Sequence, residues 1–278
     1  MRGPRGGGRS VMDPGRRDPA ARPATAPRPR RPPAVVGLVL LVLALATERL
    51  GPADFCVFVG VVTGLGAVEL ATALKRQGAS VKPIAAGAGA AAFAVAAELW
   101  GEPAIPGLAA LLFVVYAGAL VIRSRRGLRP GTVRTLAALL LPAVYSGLAG
   151  AFLVLIRKGA GGTAMVEVFL GMIVAYRLGL WAGSRRPSRI SAGAGAATCA
   201  LASLVLGLLL DHRPALGSML GIGVFVGLAA TVGTLGGRLF SSEGQPGAKA
   251  TPRPVLGQIE PALLAAPAFF YAFRLLLT

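Results

Sequence analysis

The chain has 278 residues, of which 54% are hydrophobic and only 14% charged, with a mean hydropathy of +0.68 and a formal net charge of +18. An ordinary soluble domain carries about 25% charged residues, so this composition excludes one. The positive excess would point to nucleic acid in a soluble protein. Spread over a tail and loops between long apolar runs, it instead sets orientation in a membrane, and no nucleic-acid partner is expected.

Residues 1–33 hold nine arginines against Asp13 and Asp18, with almost no large apolar side chain. Such a stretch cannot bury enough surface to offset the entropy of ordering. A disordered, Arg/Pro/Gly-rich cytoplasmic tail is therefore expected over 1–33, followed by one transmembrane helical domain over 34–278. Beside a bilayer the tail's charges would attract anionic lipid.

Nine apolar runs follow, at 34–46, 53–74, 83–100, 104–122, 133–156, 163–183, 190–210, 215–235 and 261–277. A helix needs about 17–25 such residues to cross a bilayer. In lipid every backbone amide must find an internal partner, which leaves helices or closed barrels, and these runs lack the alternation of barrel strands. The fold expected is all-α, a polytopic transmembrane bundle of about nine helices. The first run contains Ala44-Leu45-Ala46 after a basic region, which resembles a signal-peptidase site, and Arg30-Arg31 adds a twin-arginine possibility. Extended to Leu50, with Glu48 and Arg49 at the interface, the run is better read as a first transmembrane helix. Pro142 predicts a kink in the fifth helix. Pro261 predicts the start of the ninth, because proline is tolerated in a first helical turn. Glu260 would then lie at the positive end of that helix dipole.

The loop charges test this count. With the N-terminus inside, the inner segments receive the nine tail arginines, then Lys75, Arg76 and Lys82, then Arg123, Arg125, Arg126, Arg129 and Arg134. They also receive Arg185, Arg186 and Arg189, and finally Arg238, Lys249 and Arg253, so that 23 of the 29 basic residues lie inside. Arg49, Arg157, Lys158, Arg213 and Arg274 fall outside, and Arg177 lies within a span. The alternation obeys the positive-inside rule throughout. It predicts a multi-pass protein of the cell membrane with a cytoplasmic N-terminus and an external C-terminus.

Few groups in the spans could carry chemistry. Ionisable residues at membrane depth are functional candidates, which singles out Glu69 and Arg177, with Asp54 and Glu167 nearer the interface. Glu69 and Arg177 could pair with each other or snorkel to the surface. Cys56 and Cys199 both fall in apolar runs, and two lone cysteines with the single His212 make no metal or disulfide framework. The patches Gly87-Ala88-Gly89 and Gly193-Ala194-Gly195 lack the lysine and strand context of a phosphate loop and suit close helix packing. The polar segments 183–191 and 238–260 combine basic and hydroxyl groups suited to phosphate.

The run Val255-Leu256-Gly257-Gln258-Ile259-Glu260-Pro261, followed by Ala262-Leu263-Leu264-Ala265-Ala266-Pro267, resembles the C-terminal signature of the phosphatidate cytidylyltransferases, the CDP-diacylglycerol synthases. That signature has an apolar pair, Asp-Arg, an apolar residue, Asp and Ser, and then a helix with Ala-Ala-Pro. Arg189-Ile190-Ser191 resembles the family's Arg-Ile-Ser segment, and 175–183 resembles the helix before it. The departures are specific. Gly257-Gln258 replaces Asp-Arg, Glu260 the second aspartate, Pro261 the serine, and Tyr176 the aspartate of the preceding helix. Ala192-Gly193-Ala194-Gly195 replaces a Pro-Lys-Lys-Thr-like element, and 240–254 has no Lys-Asp or His-Gly-Gly.

The resemblance implies a protein of phospholipid biosynthesis that joins CTP to phosphatidate. The family reaction uses magnesium held by carboxylates and basic groups on phosphate. If that activity is retained, Glu260 is the test position for a metal ligand, and Arg189, Ser191 and Arg253 are the phosphate candidates. The missing charges favour a catalytically degenerate member with membrane phospholipid as its partner, alone or as a homo- or hetero-oligomer. An active enzyme that binds CTP at a rearranged metal site, and an unrelated transporter or scaffold, are the alternatives.

Overall fold

The computed structural model describes residues 34–123, 132–159, 161–185, 188–209, 215–242 and 254–277. The expected tail at 1–33 and the phosphate candidate Arg253 lie outside the described residues. Nine α-helices form among the described residues, with no strand: α1 Ala34–Leu50, α2 Pro52–Arg76, α3 Pro83–Trp100, α4 Ala104–Arg123, α5 Thr132–Lys158, α6 Gly162–Ala182, α7 Ser188–Leu208, α8 Leu216–Ser242 and α9 Leu256–Leu277. A short 3-10 turn, Gly183–Arg185, follows α6. Eight of the nine are long and apolar enough to cross a membrane. The ninth, α1, has 17 residues, which a rise of about 1.5 Å per residue makes about 26 Å long.

Side-chain contacts at the two ends of the bundle fix the direction of every crossing they touch. At one end Glu48 of α1 meets Arg157 of α5, Arg49 of α1 meets Glu167 of α6, and Glu102 before α4 meets Arg274 of α9. Lys158 of α5 donates to the Glu98 carbonyl of α3 at the same end. At the other end Arg134 of α5 donates to the Gln77 carbonyl that closes α2, at 2.8 Å, and α2 and α6 reach the start of α9. The first is called the ion-pair end below, and the second the basic end. Helix α1 runs the full depth between them, because Glu48 is tied at the ion-pair end while Gly37 lies against Gln258 of α9 at the basic end. Ala44 is buried, and the residues just after Ala44-Leu45-Ala46 are tied to α5 and α6.

Packing follows from small residues. With lipid tails as apolar as leucine, helix association depends on close van der Waals approach. Gly64 of α2 and Gly87 of α3 face each other backbone to backbone. Gly179 of α6 lies against Thr198, Ala194 and Gly195 of α7, leaving no space for a Cβ. Thr198 adds a 2.8 Å hydrogen bond to the Ala175 carbonyl. Helices α2, α3 and α5 pack on one another, α6 to α9 pack in sequence, and α4 lies outside on α3 and α5. The largest buried side chains include Tyr176, Phe93, Phe169, Phe269 and Met172. Ring contacts link Phe169 to Phe269 and Phe152 to Phe270 at 5.5 and 5.4 Å.

The perimeter is apolar, with Leu111, Val114 and Val121 of α4 and Val224, Phe225 and Val232 of α8 all exposed. Such a continuous surface suits lipid, not water. Trp100, which ends α3 at the ion-pair end, and Trp181, near the end of α6 at the basic end, are both strongly exposed. Tryptophan favours the two membrane–water boundaries. Cys56 and Cys199 are free thiols, both buried.

Two tests follow from this packing. Gly179→Ala forces a methyl onto the α7 backbone and is expected to destabilise the detergent-solubilised protein by about 1–3 kcal/mol; an unchanged unfolding midpoint would refute the contact. Glu48 is fully buried with Arg157 3.3 Å away, without hydrogen-bond geometry. Removing Glu48 alone is expected to cost about 3–5 kcal/mol, whereas Glu48→Leu with Arg157→Met is expected to be near neutral. Additive losses in that pair would show that the two groups act separately.

Candidate functional site

The polar groups at membrane depth gather around the first turn of α9, at the basic end. The turn begins one helical turn earlier than the sequence suggests. Pro261 does not open α9; it lies inside a helix that starts at Leu256. A proline there lacks the N–H that the Gly257 carbonyl, four residues earlier, would normally accept from. Arg177 supplies the missing donor. Its Nη2 donates to the Gly257 oxygen at 2.7 Å and also to the Gln258 oxygen. The helix continues through the proline because an arginine from α6 takes the place of its own backbone.

The same turn is completed from the opposite side by Glu69 of α2. Its Oε2 accepts from the Leu256 N–H at 2.8 Å and its Oε1 from the Val255 N–H at 3.2 Å. The first N–H groups of any helix have no partner within it, and a carboxylate there also complements the positive end of the dipole. Glu69 thus caps a helix 186 residues away in sequence. Glu69 and Arg177 do not pair with each other and do not snorkel away. One serves the amides and the other the carbonyls of a single turn.

Glu260 lies in α9 one residue before the proline. Its carboxylate rests against Gly237 of α8, where a Cβ would overlap it, and its carbonyl lies against Gly233. These two glycines, four apart, give α8 a flat face that admits α9 together with a carboxylate. Tyr145 of α5 donates to the Gly233 carbonyl at 3.3 Å and lies within electrostatic reach of Glu260, as does Arg177. Gln258 turns its amide toward Gly37 of α1.

The other candidates lie apart from this turn. Ser191, in the first turn of α7, is buried and donates to the Leu180 carbonyl at 3.1 Å, across the α6–α7 contact. Arg189 is in the same turn by its backbone, and its side chain lies outside the described part. Tyr176, where the resembled family has an aspartate, is fully buried, with its hydroxyl 3.3 and 3.4 Å from Thr231 and Thr234 of α8. Glu167 pairs with Arg49 at the ion-pair end, and Asp54 is exposed there. Tyr145, Gly233 and Gly237 escaped the sequence reading. The signal for the glycines was present as a small-xxx-small spacing in α8, but its partner was a carboxylate on another helix.

Magnesium, which the resemblance implies, does not fit these residues. A hard divalent cation takes six or more oxygens, several from carboxylates. Both Glu69 oxygens already accept from amides, and no group of three or more His, Cys, Asp or Glu gathers among the described residues. Set against known proteins, the chain matches no family model and no curated protein.

The junction makes its own test. Arg177→Met is expected to cost about 1.5–3 kcal/mol, the range for hydrogen bonds to a charged group. Pro261→Ala restores an N–H at that position, so it should lessen the loss when combined with Arg177→Met. Denaturant unfolding of the four proteins of this double-mutant cycle is expected to show a favourable coupling; strict additivity would refute the substitution of arginine for the backbone donor.

Proposed function

We propose that this multi-pass membrane protein has a phosphatidate cytidylyltransferase-like frame without nucleotidyl-transfer chemistry, and that it acts as a phospholipid-contacting component of the cell membrane. The carrying observation is the commitment of Glu69 and Arg177 to the first turn of α9. In a catalytic site for two anionic substrates, carboxylates would hold a metal and cations would meet phosphate. Here the carboxylate caps amides and the guanidinium completes a proline-broken helix. Both roles are structural. Ser191 likewise donates across a helix contact.

Contact of α6 with the start of α9 at the basic end supports the family resemblance, because the 175–183 stretch, through Arg177, then meets the Val255–Pro267 run. The distribution of charge supports a cytoplasmic basic end, an internal N-terminus and an external C-terminus. Five of the acidic residues described, Glu48, Asp54, Glu98, Glu102 and Glu167, lie at the opposite end.

The deciding assay supplies the purified protein with CTP, magnesium and phosphatidate, beside a competent enzyme. The expected outcome is no CDP-diacylglycerol above the protein-free blank. Product formation that disappears in Glu260→Gln would replace this reading with that of an active cytidylyltransferase whose metal site has been rearranged.

A further inference from the structure

The turn between α2 and α3 is pinned from within and charged on its outer side. Gly78, at φ +91°, adopts the left-handed conformation that reverses the chain. The reversal is closed by hydrogen bonds from the Gly78 amide to the Lys75 carbonyl and from the Ala79 amide to the Leu74 carbonyl, at 3.0 and 3.1 Å. Ala79 and Val81 turn inward and pack with Ala71, Ala86 and Ala138, the last from α5. Arg134, in the first turn of α5, fastens that helix to the same turn through the Gln77 carbonyl. The result is a fixed platform at the basic end on which Lys75, Arg76, Lys82 and Arg134 are all exposed. Ile84 and Val133, close by in sequence, are each 81% exposed.

Helix electrostatics accounts for only half of these charges. Lys75 and Arg76 complement the negative end of the α2 dipole. Lys82 immediately precedes α3 and Arg134 lies in the first turn of α5, at positive helix ends where the dipole opposes a cation. Neither helix has an acidic residue in its first turn. None of the three ion pairs among the described residues involves Lys75, Lys82 or Arg134. One hydrogen bond leaves Arg134 with further donors, since a guanidinium carries five N–H groups. Like charges held on one rigid base attract an anion, and the exposed aliphatic side chains of Ile84 and Val133, next to Lys82 and Arg134 in sequence, suit one with an acyl body.

We propose that this platform binds the phosphate headgroup of an anionic glycerophospholipid, whose chains descend past Ile84 and Val133. The proposal rests on the membrane-protein reading and is independent of the cytidylyltransferase-like frame. Basic clusters at the membrane surface attract anionic headgroups with roughly a fivefold gain in affinity per cation.

The test titrates phosphatidylglycerol, phosphatidylcholine and soluble glycerol 3-phosphate separately into the detergent-purified full chain, following the thermal unfolding midpoint. Phosphatidylglycerol is expected to raise the midpoint, with roughly a fivefold weaker apparent affinity for each of Lys75→Gln, Lys82→Gln and Arg134→Gln. An equal response to phosphatidylcholine would overturn the assignment. So would an unchanged phosphatidylglycerol response in the triple variant, or an equal shift from glycerol 3-phosphate. Should the triple variant not fold, Lys75→Gln and Lys82→Gln carry the same test, since both side chains are exposed. Release of the protein from membranes by alkaline carbonate would instead undo the membrane reading itself.

Discussion

A backbone carbonyl or amide in hydrocarbon has no water to turn to, and each unpaired one costs several kcal/mol. That constraint governs the bundle from its long helices down to the start of α9. Along most of the chain, helical geometry pairs the groups automatically. At α9 it does not, because the first amides precede any helical partner and Pro261 removes a donor from inside the helix. A carboxylate from α2 and a guanidinium from α6 complete the turn. Three helices distant in sequence are thereby held at one point, and the charges of Glu69 and Arg177 are explained by backbone chemistry.

On the reading proposed above, the same junction lets a frame of that kind hold together without reactive groups. A glutamate and an arginine in such a frame are not evidence of catalysis when both are bound to main-chain atoms. Glu260 differs, since its carboxylate lies against the bare backbone of Gly237. The close approach of α8 and α9 requires the glycine there, and the carboxylate occupies the space it leaves. The aromatic and threonine hydroxyls of Tyr176, Thr231 and Thr234 fill the neighbouring contact without adding charge.

Much of this architecture was legible in the sequence, because hydropathy and loop charge are properties of single segments. Run lengths and alternating basic loops gave nine helices and their alternating directions, and the observed bounds agree closely for α3 and α4. What could not be read were features decided by a partner on another helix. Pro261 has the same local signature at a first turn as in an interior position with an external donor; only Arg177 distinguishes the two. Glu69 and Arg177 invite pairing because opposite charges at one depth attract, yet the unpaired groups of α9 offered each a better partner. The burial of Glu48 beside Arg157 was hidden for a similar reason, since a glutamate next to an arginine near a helix end reads as interfacial.

The exposed indoles of Trp100 and Trp181 mark opposite boundaries of the bundle, and the helices between them are not free to adjust one by one. Ion pairs tie α1 to α5 and α6, and α9 to the α3–α4 connection, while the basic end is fastened through the α9 turn and the α2–α3 turn. A single helix answers a bilayer of the wrong thickness by tilting. Here a tilt of α1, α5, α6 or α9 would break contacts at both ends. The bundle therefore behaves as a slab of set thickness, and a mismatched bilayer must stretch or thin around it, so the lipid, not the protein, bears the deformation.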